Sequence, residues 1–143
     1  ENGKVCLSRL NTWSSDQSLQ WTPILCLEYV LKMIQNQVLT CDPLDNEPNY
    51  DYSRRDKVNA TNYTKIVEYL NCKYNICDLY KELPAGIPKN LNIHETIKKY
   101  IDNNRDYYRN IFKNRVVNDG QTVECTMYVN CRVELAYMDL LEF

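Results

Sequence analysis

Two kinds of reactive side chain stand out in the 143-residue sequence: seven cysteines (Cys6, Cys26, Cys41, Cys72, Cys77, Cys125 and Cys131) and one histidine, His94. General acid–base catalysis near neutral pH calls for two groups titrating near 7, and imidazole is the side chain suited to it. A single histidine fills one of those two posts. A cysteine beside His94 would make a nucleophilic dyad, but nothing in the spacing brings a thiol to the ring. Carboxylate pairs can also share acid–base work, and no pair is singled out here. The sequence therefore offers no catalytic residue, no metal ligand set and no cofactor motif.

The cysteines read instead as structural. Seven in a chain of this length, with no C-x-x-C pair, favour an oxidising compartment and a disulfide-stabilised fold. Three bridges leave one thiol over, to be buried, capped or used to link a second chain into a dimer, and the pairing is open. Asn59-Ala-Thr61 and Asn62-Tyr-Thr64 are two glycosylation acceptors that agree with secretion. No apolar run approaches the ~18 residues of a membrane span, and Glu1 begins without a signal-like segment, so the expectation is a mature, extracellular protein that meets no membrane.

Length and composition predict one domain over residues 1–143, with 44% hydrophobic and 25% charged residues, which is globular. The net charge of −2 argues against a chain that grips nucleic acid by charge alone. Bases gather between Asn92 and Arg115 (Lys98, Lys99, Arg105, Arg109, Lys113, Arg115), whereas Cys41 to Tyr52 holds four acids and no base.

These residues must be carried by elements that the hydrophobic period suggests. Cys6 to Gln20 reads as strand and loop, and Trp21 as extended. Leu27, Val30, Leu31, Ile34 and Val38 recur at helical steps and predict a helix over Ile24 to Gln37, with Pro23 near its first turn. Cys41 to Asp56, with two prolines and two asparagines, reads as an exposed loop. Thr61 to Leu70 and Ile76 to Leu83 predict two helices with Cys72 and Cys77 bracketing a turn between them. Asn92 with Glu95 makes a capping box for one long helix reaching Arg115. Beyond Asn118-Asp119-Gly120 the period changes to two, predicting a hairpin from Val123 onward that ends near Phe143. The resulting class is α+β, a mainly antiparallel sheet packed with helices.

Three segments resemble the ribonuclease T2 family. "SLQWTPILC" (Ser18 to Cys26) is similar to that family's first core strand, Leu-Gln-Trp-Pro-x-x-Tyr-Cys, with departures at Thr22 and Leu25. The run from Asn59 to Ile101, with Gly86, Ile87 and Pro88 at its turn, resembles the family's helices. "VECTMYVNCRVELAYMDL" resembles its closing hairpin, although Leu141 stands where the family has a cysteine, so the usual closing bridge to Cys125 lacks its partner and Cys131 becomes the alternative. The resemblance implies a shortened ribonuclease T2-like core. Both of the family's histidine motifs, His-Gly-Leu-Trp-Pro and His-Glu-Trp-x-Lys-His-Gly-Thr-Cys, are missing.

The expectation is then a secreted pseudoenzyme, effector-like, that binds a partner protein. Tyr50 and Tyr52 with Arg54 and Arg55, on the proline-containing loop, form the expected contact surface. Two alternatives stand beside it: a ribonuclease with atypical or residual activity, and a small carrier of a hydrophobic ligand.

Overall fold

The computed structural model describes residues 22, 26–46, 57–88, 92–126 and 130–143. The predicted strand-and-loop over Cys6 to Gln20, the extended Trp21 and the contact residues Tyr50, Tyr52, Arg54 and Arg55 lie outside the described residues. The chain forms two compact units, Glu1–Asn46 and Glu47–Phe143.

In the first unit the predicted helix is present as α1 (Leu27–Met33) and runs on as a π-helical turn over Ile34–Val38. Glu28 in its first turn and Lys32 in its last suit the helix dipole, and the two pair at 2.6 Å. Both are exposed, so the pair adds little stability. Val30 is the buried residue of α1. A 3₁₀ turn, Pro43–Asn46, follows and buries Leu44 completely.

The second unit opens with α2 (Lys57–Leu70), which runs unbroken into a π-helical stretch, Asn71–Asp78, and then α3 (Leu79–Lys81). The turn predicted between Cys72 and Cys77 is therefore absent. No glycine or proline occurs from Lys57 to Leu83, so no residue there breaks the helix. The chain leaves helix at Glu82, which is extended, and turns at Ala85 and Gly86, where glycine supplies a φ of +93°.

The long helix predicted from Asn92 is split into α4 (Ile93–Asn103) and α5 (Arg105–Arg115). Asn104 sits between them with φ −115° and ψ 15°, and its side chain donates to the Tyr100 carbonyl at 2.8 Å. A short amide that bonds the backbone competes with the helix in this way. The expected capping box does not form either. Asn92 is left-handed with φ +50° and gives no side-chain cap; Thr96 Oγ1 instead donates to the Asn92 carbonyl at 3.0 Å.

The hairpin is real but small. Strands β1 (Thr122–Cys125) and β2 (Cys131–Glu134) pair antiparallel, with Thr122 opposite Glu134 and Cys125 opposite Cys131. Past Leu135 the predicted strand gives way to a short helix, α6 (Tyr137–Leu141). Asp119 Oδ1 accepts the Met138 N–H at 2.8 Å, supplying the turn with a partner from outside it. The class remains α+β, but the described residues are mostly helical with one two-stranded sheet. The sheet is antiparallel, as expected from the sequence, but smaller than expected, with two strands among the described residues.

The core of this unit lies where α2, α5, α6 and the hairpin meet. Phe112, Cys125 and Leu135 are fully buried, and Ile66, Tyr69, Val123, Tyr137 and Leu140 surround them. The Tyr69 and Tyr137 rings meet edge-on, with centroids 5.3 Å apart. Arg115 reaches from the end of α5 to Glu68 on α2 at 2.9 Å. No described helix is long and apolar enough to cross a membrane.

Candidate functional site

Of the chain's side chains, thiols are the ones equipped for nucleophilic chemistry, and their surroundings sort them into classes. Cys72 and Cys77 lie five residues apart on the π-helical stretch, and both are buried. Burial pushes the Cys72 thiol up from its ordinary 9.0 to about 11; Glu68 adds to the rise and Arg115 offsets part of it. Burial does the same to Cys77, also to about 11, with Lys81 opposing and Cys72 and Asp78 reinforcing. The thiolate is the reactive form, so both are chemically quiet near neutral pH.

Cys125 is fully buried and its Sγ donates to the Asn59 carbonyl at 3.8 Å. Half-buried Cys131 faces it across the hairpin. Cys26, just before α1, and Cys41 are exposed. Cys6 lies outside the described residues.

No disulfide joins any two of the described cysteines. The disulfide-stabilised fold is corrected by this finding: the described thiols stand unbridged within the chain. An uninterrupted helix through Cys72 and Cys77 was the missed signal: both side chains belong to the core, where cysteine packs as a small hydrophobe. The odd cysteine count had pointed to bridges and away from thiol chemistry.

His94 is half-buried in the first turn of α4, and its Nε2 lies 3.1 Å from the Tyr80 carbonyl. A carbonyl accepts only, so Nε2 carries the proton. Beside it is a cavity of about 500 Å³ lined by Leu83, Pro84, Gly86, Ile87 and Glu95. No cysteine lines this cavity, and His94 is a helix-start histidine bonded to the backbone. Among the described residues no group of three histidines, cysteines or carboxylates could hold a metal ion.

The two asparagines marked as glycosylation acceptors both sit on α2 and face the hairpin. Asn62 Nδ2 donates to the Glu124 carbonyl at 2.8 Å, and Asn59 Oδ1 accepts the Thr126 N–H at 3.1 Å. Their docking role was not legible from the tripeptides.

No family profile matches the sequence. Curated relatives do. A probable ubiquitin-conjugating enzyme E2 from Acanthamoeba polyphaga mimivirus is 36% identical over 101 residues, covering 68% of this chain and 7% of the relative. Human ubiquitin-conjugating enzyme E2 Z is 29% identical over 124 residues, covering 86% of this chain and 32% of the relative. The relatives are ubiquitin-conjugating enzymes.

This chain is thus similar to ubiquitin-conjugating enzymes and not to the ribonuclease T2 family. The human dual E2 ubiquitin-conjugating enzyme/E3 ubiquitin-protein ligase BIRC6 is a further relative, 43% identical over 54 residues, which are 37% of this chain and 1% of the relative. The chain spans about a third of the length of the E2 Z relative and far less of the others. These likenesses overturn the ribonuclease T2-like core, the secreted pseudoenzyme acting as an effector, the atypical ribonuclease and the hydrophobic carrier. Nor do they support the extracellular glycoprotein reading. The physical reason is that the three matched segments rested on one tryptophan-to-cysteine spacing and on amphipathic periods, which any helix or hairpin must show to bury a face. The third segment in particular ends in helix α6, not in a closing strand.

Proposed function

We propose that this chain is part of a ubiquitin-conjugating protein that carries ubiquitin on an accessible cysteine, with other proteins as its partners. The observation that carries the reading is the likeness to human E2 Z along 86% of the chain. Conjugation of one protein to another through a carboxyl group is acyl transfer. A thiol suits it, because a covalent acyl intermediate splits one difficult step into two easier ones.

The surroundings of each thiol narrow the choice. Cys72 and Cys77 are buried and held protonated, and Cys125 is sealed in the core. Cys26 and Cys41 are exposed, and Cys6 joins them as the candidate outside the described residues. A lone histidine is no obstacle in this chemistry, since a thiolate attacks without an imidazole partner once it is formed.

The test is charging of the whole protein that contains this chain with activated ubiquitin, followed by electrophoresis with and without a reducing thiol. The expected result is an adduct that the reductant removes. Cys6→Ala, Cys26→Ala and Cys41→Ala are compared singly, and one of the three abolishes the adduct while Cys72→Ala leaves it. An adduct that survives all three substitutions, or no adduct at all, overturns the proposal.

A further inference from the structure

The two outer edges of the hairpin are treated differently. The Leu135 N–H bonds the Gln121 carbonyl at 2.9 Å. Antiparallel pairs alternate, so with this register Val123/Val133 and Cys125/Cys131 are the pairs that bond each other across the hairpin. The N–H and C=O groups of Thr122, Glu124, Arg132 and Glu134 then point away from it. On the β1 side α2 meets part of this edge: Asn62 Nδ2 donates to the Glu124 carbonyl, and Asn59 Oδ1 accepts the next outward N–H, that of Thr126. On the β2 side, the outward groups of Arg132 and Glu134 have no partner among the described residues, and both residues are exposed.

We propose that the open edge of β2 pairs with the same edge of a second copy of this chain, joining two hairpins into one four-stranded antiparallel sheet about a two-fold axis at Val133. The two outward-facing residues flank Val133 symmetrically. An antiparallel copy centred there sets Arg132 opposite Glu134 of the second copy, and Glu134 opposite its Arg132. Each of these is a hydrogen-bonded pair, so the outward N–H and C=O groups of both residues are satisfied in both copies.

Charge selects the occupant. Directly opposed residues project to the same face of a sheet, so each backbone pair also brings a guanidinium beside a carboxylate. Neither Arg132 nor Glu134 is engaged in an ion pair among the described residues. Half-buried Val133 meets its own counterpart at the non-bonded position, where opposed side chains approach most closely. A foreign strand would need an acid and a base at alternate positions in the correct order, whereas a second copy supplies them by symmetry. Short, charged edge strands discourage casual pairing, and this register is the one in which those charges attract. A two-stranded sheet is marginal by itself, which favours the extension.

The test is sedimentation of the full chain from micromolar concentration up to about 1 mM, where even weak pairing registers. The expected result is a monomer–dimer equilibrium. Glu134→Arg is the cleaner single reversal, because Thr122 lies opposite it within the hairpin; it and Arg132→Glu each weaken the dimer about tenfold. The double reversal R132E/E134R returns it to within about threefold of the parent. Arg132→Pro removes an outward N–H without touching a hairpin bond, so it abolishes the dimer while the circular dichroism spectrum stays that of the parent. A monomer at every concentration overturns the proposal, and so does a dimer that both single reversals leave intact.

Discussion

The side chain of Asn62 donates to the backbone carbonyl of Glu124 at 2.8 Å, across 62 residues of sequence. With Asn59 on the Thr126 N–H, it fastens α2 along the edge of β1. Losing one such neutral hydrogen bond at a solvent-accessible site costs about 1 kcal/mol. Asn62→Ala is therefore expected to lower the unfolding free energy by about that amount in a urea titration. Asn62→Asp should cost more, since it sets an acceptor against an acceptor. Equal stability of N62D and the parent would show that the contact does not hold the helix to the strand. The nitrogen involved is also the atom a glycan would occupy, so modification there would compete with docking.

The thiols should separate by reactivity. Cys72 and Cys77, both pushed up to about 11 by burial, stay almost wholly as the unreactive thiol at pH 8. Cys26 and Cys41 are exposed. Brief treatment of the folded protein with iodoacetamide, followed by peptide mass spectrometry, is expected to label Cys26 and Cys41 first and Cys72 and Cys77 only after denaturant is added. Early labelling of Cys72 would contradict the burial of that helix face.

The same raised thiols set an alkaline limit on stability. A thiol whose folded value exceeds its unfolded value binds its proton more tightly in the native state. Its contribution is complete below about pH 9 and is lost as pH climbs through about 11. Tyr137, also pushed up by burial beside Cys72 and Glu68, acts in the same direction. The urea midpoint should hold between pH 7 and 8.5 and fall steadily above pH 9. Cys72→Ala should flatten that fall at the cost of lower stability throughout. A midpoint that rises above pH 9 would reverse the sign and sink the account.

What the sequence revealed was what period alone dictates. Val30, Ile66, Ile101 and Phe112 fall on helical faces and are buried, and Val123 and Cys125 alternate with exposed neighbours on β1. Side-chain competition with the backbone was not legible: Asn104 cuts the long helix by bonding the Tyr100 carbonyl, and Asp119 starts α6 from across a turn. Both depend on where a short polar side chain finds its partner, which composition does not encode. Thiol chemistry was obscured for a different reason. A cysteine reads alike as bridge, core filler or nucleophile until its burial is known, and the likeness to ubiquitin-conjugating enzymes is spread along the sequence.

The break at Asn104 is held by Arg105, and this makes its guanidinium the most connected charged group described. Its Nη2 donates to Asp102 Oδ1 at 2.6 Å and to the Tyr80 hydroxyl at 3.0 Å, while Nη1 donates to the Phe143 carbonyl at 2.6 Å. The same group lies over the Tyr80 and Phe143 rings, 5.2 and 5.0 Å from their centroids, and those rings meet edge-on at 5.0 Å. The hydrogen bond from Arg105 is the main cause holding the Asp102 carboxyl below the usual range. Three acceptors in different directions match a planar fork and not a point charge, so lysine is a poor substitute. Arg105→Lys is expected to lower Tm by about 3–5 °C and to speed amide exchange at Phe143. Arg105→Ala should do no more than slightly worse. If lysine restored the parent melting temperature and exchange rate, charge alone would suffice and the fork would have no role in joining α3, the helix break and Phe143.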